Sequence, residues 1–201
     1  MVENQIEKYE SKNPISNYLV KNFFKNIEKM INSISSKDKV KSALEAGCGD
    51  GYLSQFLIKI NVPLVKSFDI SESLVTLAKN RVPSHNFYIQ SIYEMDRCED
   101  ADLIICCEVL EHLETPDLAL EKIYECSQKY VILSVPNEPI WRILNILRGK
   151  YLSDYGNTFG HINHWSKNKF IKFVEQRFEI IKVATPLPWT MILAKKVEGL
   201  K

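Results

Sequence analysis

Three glycines at alternate positions, Gly47, Gly49 and Gly51, stand directly after an apolar stretch of the chain. Glycine lets the backbone turn with a positive φ angle and lets a ligand lie against the main chain. Residues 52–57 continue with helical spacing, so the pattern predicts a strand, a tight turn and a helix start. Such a turn holds a nucleotide-like ligand at a helix N-terminus. The spacing differs from the G-x-G-x-x-G of dinucleotide-binding folds, which argues against a dehydrogenase.

Two carboxylates and an imidazole follow a second apolar stretch, at Glu108, Glu111 and His112. If the chain forms a helical turn there, these positions are i, i+3 and i+4 and share one face. Such groups repel or desolvate one another unless a positive group joins them. One interpretation is a divalent cation with oxygen and nitrogen ligands, to which the later segment 160–165, which contains His161 and His164, adds the fourth group. The other is a polar network without metal.

Alternating strands and helices are expected to position these groups. Strands are predicted at 40–46, 64–69, 86–90, 102–107 and 130–135, and helices at 14–34, 52–60, 116–127 and 166–176, with one more beginning after Ser71. Segments 178–184 and 191–197 are predicted to form a final antiparallel hairpin. We therefore expect an α/β protein of Rossmann-like, doubly wound, three-layer α/β/α architecture, with a mainly parallel seven-stranded sheet.

Asp69 ends the second predicted strand, about twenty residues beyond the glycine turn. Rossmann-like folds place at this position the acid that accepts hydrogen bonds from ribose hydroxyls. An aspartate at a strand end is also a common turn residue. Together with the glycines it predicts a site for a ligand that contains a ribose.

The run from Glu45 to Gly51, an acid followed by alternate glycines, resembles the first motif of class I S-adenosylmethionine-dependent methyltransferases. The segment 109–113, Val-Leu-Glu-His-Leu, followed by Asp117, is similar to the post-strand motif of the ubiquinone-biosynthesis-type subfamily, the type 11/12-like enzymes. The similarity spans roughly residues 40–180. It implies methyl transfer to a small-molecule acceptor, with a hydroxyl as the expected nucleophile.

The same resemblance implies a set of site residues. The cofactor would lie against Glu45, Gly47, Cys48, Gly49, Gly51, Asp69, Ile70, Ser91, Ile92 and Cys107. Ser91 departs from the pattern, since that loop generally offers the adenine an acid, although a hydroxyl still forms hydrogen bonds. His112 and His161 would be the catalytic bases. Some O-methyltransferases of this type bind a divalent metal, and the matching ligands for Mg, Mn or Zn are Glu108, Glu111, His112 and His161.

Residues 138–165 interrupt the alternation of strands and helices and are predicted to form a substrate lid above the carboxyl edge of the sheet. Residues 1–36 are expected to form an N-terminal helical cap on a single domain that covers 1–201. The aromatic residues of the lid favour an aromatic, quinone-like or lipid-linked acceptor. Two alternatives stay open for the apolar helix at 139–149: packing in the core, and peripheral contact with a membrane surface.

The charge is nearly balanced, with 26 Lys and Arg against 25 Asp and Glu, which argues against a nucleic-acid partner. No apolar run reaches the length of a membrane span, and the N-terminus lacks the pattern of a signal peptide, so a cytoplasmic location is expected. Two other functions remain open. One is a metal-dependent RNA 2′-O-methyltransferase, and the other is a non-catalytic protein that binds S-adenosylmethionine or S-adenosylhomocysteine.

Overall fold

The computed structural model describes residues 13–34, 38–96, 100–147, 149 and 151–197. Seven strands form one sheet: β1 (Ala43–Ala46), β2 (Leu64–Asp69), β3 (Phe87–Ile89), β4 (Ala101–Cys107), β5 (Ser127–Pro136), β6 (Phe178–Ala184) and β7 (Trp189–Lys196). Their order across the sheet is β3-β2-β1-β4-β5-β7-β6. The first five strands pair in parallel, and β7 runs antiparallel to both β5 and β6. The predicted doubly wound sheet and its final hairpin are confirmed.

Six helices of the described residues connect and cover the strands. They are α1 (Pro14–Ile31), α2 (Tyr52–Lys59), α3 (Glu72–Arg81), α4 (Pro116–Cys126), α5 (Ile140–Leu147) and α6 (Lys167–Val174). The side chain of Asn13 caps α1, and a proline at the first position of α4 already has the helical φ angle. Short 3₁₀ turns occur at Ile92–Glu94, Leu110–His112 and Leu152–Asp154. Within the described part of the chain, no helix is long and apolar enough to cross a bilayer.

Two hydrophobic cores lie on opposite faces of the sheet, and β4 contributes to both. Its side chains alternate, so that Ile104 and Cys106 belong to one core while Leu103 and Ile105 belong to the other. The first core also receives apolar residues of α4 and α6, and the second receives those of α1 and α2. Burial on both faces explains why β4 is continuously apolar in the sequence.

The order of the strands reverses between β1 and β4, which are neighbours in the sheet. In open α/β sheets the crevice at the carboxyl ends of two such strands is where ligands bind. The glycine turn follows β1 directly, and the segment from Glu108 to Leu113 follows β4. The two groups that the sequence singled out therefore meet at this crevice.

Several boundaries differ from the predicted ones, and one difference concerns the site. Glu108 is not in a helical turn: its φ is +61°, and the 3₁₀ turn begins only at Leu110. The predicted shared face of residues 108, 111 and 112 therefore does not form. Strand β5 also begins at Ser127, three residues earlier than expected. Parts of the predicted N-terminal cap, 1–12 and 35–37, lie outside the described residues.

Candidate active site

The glycine turn approaches the loop after β4 as closely as side chains permit. All three glycines have positive φ, at +81° for Gly47, +54° for Gly49 and +84° for Gly51. A Cβ atom on Gly47 would lie 2.2 Å from Cγ2 of Val109. Only glycine adopts this positive φ angle readily and also fits the small space beside Val109. The turn is thus held against the segment that carries the candidate catalytic groups.

Glu45 is buried beside the glycine turn, near the carboxyl end of β1. Its Oε2 accepts hydrogen bonds from the hydroxyls of Ser54, at 2.5 Å, and Ser67, at 3.0 Å. Burial raises the pKa of Glu45 to about 7, and the two serine hydrogen bonds act in the opposite direction. Its Oε1 has no hydrogen-bond partner among the described residues. A buried carboxylate oxygen with unused capacity fits a cofactor that brings a hydrogen-bond donor to this turn.

Ser67, one of the two serines that bind Glu45, also contacts a histidine. Ser67 lies opposite Glu45 in the parallel pairing of β1 and β2, and its hydroxyl is 3.0 Å from Nε2 of His85. Burial lowers the pKa of His85. Two side chains therefore fix the hydroxyl of Ser67, which in turn orients the carboxylate of Glu45.

Asp69 joins the end of β2 to the glycine turn. Its Oδ2 accepts a hydrogen bond from the N–H of Gly49 at 2.9 Å, and its Oδ1 accepts one from the N–H of Ser71 at 2.9 Å. The next residue, Ile70, is exposed. A carboxylate beside an exposed apolar side chain matches a nucleoside, since the ribose needs acceptors and the base needs an apolar surface.

The other predicted cofactor contacts are mostly buried. The hydroxyl of Ser91 caps the 3₁₀ turn at Ile92–Glu94 by accepting the N–H of Tyr93, while Ile92 itself is buried. Cys48 and Cys107 are buried thiols, and desolvation raises their pKa far above the usual range. Both remain neutral and pack as small apolar groups.

Glu111, His112 and His161 form a compact group at the carboxyl edge of the sheet. One potential ligand atom from each lies within 4.8 Å of the other two. Glu111 and His161 are buried, and the backbone carbonyl of Glu111 accepts hydrogen bonds from the N–H groups of Ile162 and Asn163. These two bonds attach the loop from the insertion to the turn after β4. His161 is thereby brought beside residues almost fifty positions earlier in the chain.

The imidazole of His112 has a defined tautomer when it is neutral. Its Nδ1 lies 2.9 Å from the carbonyl oxygen of Gly160, which accepts but cannot donate. The proton is therefore on Nδ1, and the lone pair is on Nε2. A histidine arranged in this way can accept a proton or bind a metal through Nε2. Its ring lies edge-on to that of His161, with centroids 4.9 Å apart.

One of the four predicted ligands, Glu108, and the substitute ligand His164 lie elsewhere. The carboxylate of Glu108 accepts hydrogen bonds from the hydroxyl of Ser134, at 3.1 Å, and from Nε1 of Trp189, at 2.5 Å. Nε2 of His164 lies 3.0 Å from a guanidinium nitrogen of Arg142, and burial, with a smaller contribution from Arg142, lowers its pKa. The group of Glu111, His112 and His161 includes neither residue, so three of the four predicted ligands come together.

Sequence reasoning did not find Ser54, Ser67, His85 or Trp189, which hold Glu45 and Glu108. Serine and histidine on a strand or at a helix start are too common to indicate a role. Ser67 becomes significant through its register opposite Glu45, and Trp189 through the antiparallel pairing that places it opposite Pro136. Both relationships depend on how the strands pair.

Comparison with protein families gives a match over residues 19–181 to a model described as a methyltransferase domain. A ubiquinone biosynthesis O-methyltransferase from Coxiella burnetii is 37% identical over 83 residues, which is 39% of this chain and 35% of that protein. The match therefore spans about a third of the length of that curated relative.

Two solved structures share the whole architecture. Magnesium protoporphyrin IX methyltransferase from Synechocystis PCC 6803, with bound S-adenosylhomocysteine, has a TM-score of 0.71 at 17% identity and covers 98% of this chain and 93% of its own. The N-methyltransferase NodS from Bradyrhizobium japonicum WM9, with the same molecule bound, has a TM-score of 0.70 at 15% identity over 98% and 97% of the chains. At these identities the likeness concerns the fold.

Proposed function

The chain belongs to the methyltransferase domain family, and from this premise we propose that it is a class I S-adenosylmethionine-dependent methyltransferase that methylates a hydroxyl group of a small molecule. The observation that carries the proposal is the pair of histidines at the carboxyl end of β4. His112 presents the lone pair of Nε2, because its Nδ1 donates to Gly160. A hydroxyl acceptor has to lose a proton, and an imidazole is the side chain best suited to receive it near neutral pH.

The cofactor residues are proposed from their positions around the crevice. The glycine turn provides close approach of the backbone, Asp69 provides acceptors for the ribose, and Ile70 provides an apolar surface for the base. The N–H of Ile92 and the hydroxyl of Ser91 are proposed for the edge of the adenine, with Cys48 and Cys107 as neutral packing groups. When bound, S-adenosylmethionine supplies a methyl group on a positively charged sulfur, which is an already activated donor.

The residues of the chain then have two tasks. The first is to hold the acceptor oxygen in line with the methyl carbon and to exclude water, a role that we propose for the insertion at 138–165. The second is to take the hydroxyl proton on Nε2 of His112, with His161 beside it. The imidazole would hold this proton, while S-adenosylmethionine, when bound, would supply the methyl group and leave as S-adenosylhomocysteine.

An aromatic, quinone-like acceptor is favoured by the side chains near the histidines. The ring of Trp141 lies against that of His161, with centroids 5.8 Å apart, and Trp141 also lies 6.0 Å from Trp189. Flat aromatic walls suit a planar acceptor. The name of the Coxiella relative, which refers to ubiquinone biosynthesis, points to the same class of compound.

A divalent metal is the alternative to a histidine base, because a His112 that binds an ion through Nε2 has no lone pair left for the proton. The donor set supports this alternative. One carboxylate and two imidazoles within 4.8 Å suit Zn²⁺ or Mn²⁺ better than Mg²⁺, which prefers oxygen ligands. The hydrogen bond from Nδ1 of His112 to a backbone carbonyl is also the arrangement that orients metal-binding histidines. Glu111, His112 and His161 would hold the ion, and its chemistry would be to lower the pKa of the acceptor hydroxyl.

The experiment has two stages. Calorimetric titration with S-adenosylhomocysteine is expected to give micromolar binding that Asp69→Ala weakens strongly and that the exposed-site control Asp117→Asn leaves unchanged. Incubation with S-adenosylmethionine and separate phenol, catechol, amine and short RNA acceptors then identifies the product by mass spectrometry. Methylated phenol or catechol supports the proposal. Methylated amine or RNA would replace it, and binding without turnover of any acceptor would favour a non-catalytic binding protein.

A further inference from the structure

Glu108 directly follows β4, and both of its carboxylate oxygens accept a hydrogen bond. Its Oε1 accepts the hydroxyl of Ser134 at 3.1 Å, and its Oε2 accepts the indole N–H of Trp189 at 2.5 Å. Ser134 lies on β5 and Trp189 begins β7, and β4, β5 and β7 are neighbours in the sheet. The two hydrogen bonds therefore connect the segment after β4 with the next two strands.

The backbone of Glu108 has a conformation that glutamate rarely adopts. Its φ of +61° lies in the left-handed region, which is unfavourable for a residue with a Cβ atom. The N–H of Glu108 donates to the carbonyl oxygen of Ser134 at 3.0 Å, and this bond continues the pairing of β4 with β5 by one residue. A strained residue persists where its neighbours hold it, and such residues cluster at active sites. The side-chain and backbone hydrogen bonds of Glu108 supply this support.

The angle at Glu108 determines the direction of the residues that follow. The 3₁₀ turn at Leu110–His112 begins two residues later and carries both Glu111 and His112. A change in the backbone angles of Glu108 would displace these side chains, because they are only three and four positions further along the chain. Glu108 thus sets the direction in which the candidate base leaves the sheet.

Trp189 also contacts two other parts of the protein. Its side chain is buried, and its ring lies edge-on to that of Phe23 of α1, with centroids 4.9 Å apart. On α5 its neighbour is Trp141, at 6.0 Å, and the ring of Trp141 lies 5.8 Å from that of His161. One indole therefore connects the N-terminal helix, the turn after β4 and the insertion. Movement of this indole would disturb both segments that carry the candidate imidazoles.

We propose that Glu108 and Trp189 form a positioning pair for methyl transfer. The hydrogen bond between them fixes the turn that carries His112, and the ring of Trp189 supports Trp141 beside His161. In this assignment neither member of the pair receives the proton of the acceptor. The inference rests on the proposed function, in which the imidazoles do so. It also gives Glu108 a role different from the metal ligand that the family resemblance implies.

Three variants separate the hydrogen bond from the ring. Glu108→Ala removes the acceptor, and Trp189→Phe removes the donor but keeps an aromatic ring. Glu108→Gln keeps a carbonyl oxygen that accepts the indole N–H. The matched control is Tyr130→Phe, which removes the hydrogen bond from the hydroxyl of Tyr130 to Asp38, 3.1 Å long. Tyr130 belongs to the same core as Trp189 but lies nearer the amino end of β5.

The first measurement is kinetic and uses any acceptor that the wild type methylates. Glu108→Ala and Trp189→Phe are expected to lower kcat by about tenfold to 10²-fold, because a misplacement of about 1 Å has effects of this size. The KM for S-adenosylmethionine should stay within about twofold, since neither residue is among those proposed for the cofactor. Glu108→Gln should recover most of kcat, and Tyr130→Phe should retain it.

The second measurement is nuclear magnetic resonance of nitrogen-labelled protein, which needs no turnover. Trp189→Phe identifies the indole N–H signal of Trp189 by its loss. Glu108→Ala should move this signal upfield, because the carboxylate acceptor is gone. The Nδ1–H signal of His112 should shift or broaden in both variants, since its hydrogen bond to Gly160 depends on the position of the turn. Tyr130→Phe should change neither signal, and Trp189→Phe still reports on His112 if Glu108→Ala does not fold.

Four results would overturn the inference: an indole signal that Glu108→Ala leaves in place, a His112 signal that neither variant changes, wild-type kcat in both variants, or a Glu108→Gln as inactive as Glu108→Ala. The last result would make the carboxylate itself a base or a metal ligand. If the wild type methylates amines alone, the hydroxyl acceptor is wrong, whereas the two signals and kcat with the amine still decide the role of the pair.

Discussion

The Nδ1 atom of His112 lies 2.9 Å from the carbonyl oxygen of Gly160, and this hydrogen bond is one of several that connect the turn after β4 with the insertion that follows β5. It sets the tautomer of the imidazole, and it places Gly160 and the adjacent His161 beside the crevice. The position of the insertion loop and the tautomer of the candidate base are therefore coupled. A change in either segment is expected to affect the other.

Replacing the candidate base should lower turnover without affecting the cofactor. For His112→Ala we expect kcat to fall by about 10²- to 10⁴-fold, because the acceptor hydroxyl loses its proton acceptor, while the affinity for S-adenosylhomocysteine stays within about twofold. Single-turnover methylation and calorimetry measure the two quantities. His164→Ala is the control, since that imidazole contacts Arg142 outside the group. Full activity of His112→Ala with every acceptor that is methylated would contradict the assigned role.

The buried carboxylate of Glu45 should make stability depend on pH. Burial raises the pKa of Glu45 from its ordinary value of 4.5 to about 7 in the folded protein, so between these two pH values the folded state holds a proton that the unfolded state has released. The contribution of Glu45 to the free energy of unfolding is then fully present below about pH 4.5. It is lost as the pH rises towards about 7, by roughly 3 kcal/mol. Because Glu45→Gln has no charge to bury, it should remove this slope and unfold at a higher denaturant concentration near pH 8.

Chemical denaturation of the cofactor-free protein at several pH values gives the comparison for Glu45. The exposed Glu72→Gln is the control and should retain the wild-type slope. An unchanged slope in Glu45→Gln would mean that other groups cause the pH dependence.

The contact between Gly47 and Val109 predicts a specific rescue. Gly47→Ala brings a methyl group to within 2.2 Å of Cγ2 of Val109 and places a non-glycine residue at a φ of +81°, so we expect a loss of about 2–4 kcal/mol in unfolding free energy. Adding Val109→Ala removes the overlap but not the backbone strain. Part of the loss should therefore be recovered, as measured by denaturation of the two single variants and the double variant. If the losses of the two single variants simply add up in the double variant, the overlap between the methyl group added at Gly47 and the side chain of Val109 costs no free energy, and the prediction is wrong.

Glu108 and Glu111 should differ in their effect on a metal. If Zn²⁺ or Mn²⁺ binds after chelator treatment, Glu111→Gln is expected to abolish the calorimetric heat, whereas Glu108→Gln should leave it within about twofold. The reason is that Glu108 already binds Ser134 and Trp189. Glu108→Ala should instead cost about 1–3 kcal/mol of stability, since it leaves the indole N–H of Trp189 without this acceptor. Loss of metal binding in both glutamine variants would mean that Glu108 is also a metal ligand, as the family resemblance implies.

The fold followed from local patterns. Burial on both faces makes a parallel strand continuously apolar, so the run ending at Cys107 identified β4, and alternate glycines after β1 identified the turn. Asp69 was found because a fixed distance along the chain separates the two strand ends in a Rossmann-like unit. The boundaries were less certain because strand ends depend on pairing, as the early start of β5 at Ser127 illustrates.

The site was decided in part by the sequence and in part by the tertiary structure. The sequence alone determined which residue types stand at the carboxyl ends of β1, β2 and β4, because an apolar run and its last residue are adjacent in the chain. Only the folded chain decided that Glu108 turns towards Trp189, that Ser67 and His85 support Glu45, and that α5 presents Leu147 rather than Asn145 to solvent. These relationships join residues distant in sequence, and they depend on strand register, backbone angles at single residues and the rotation of one helix, which no local pattern specifies.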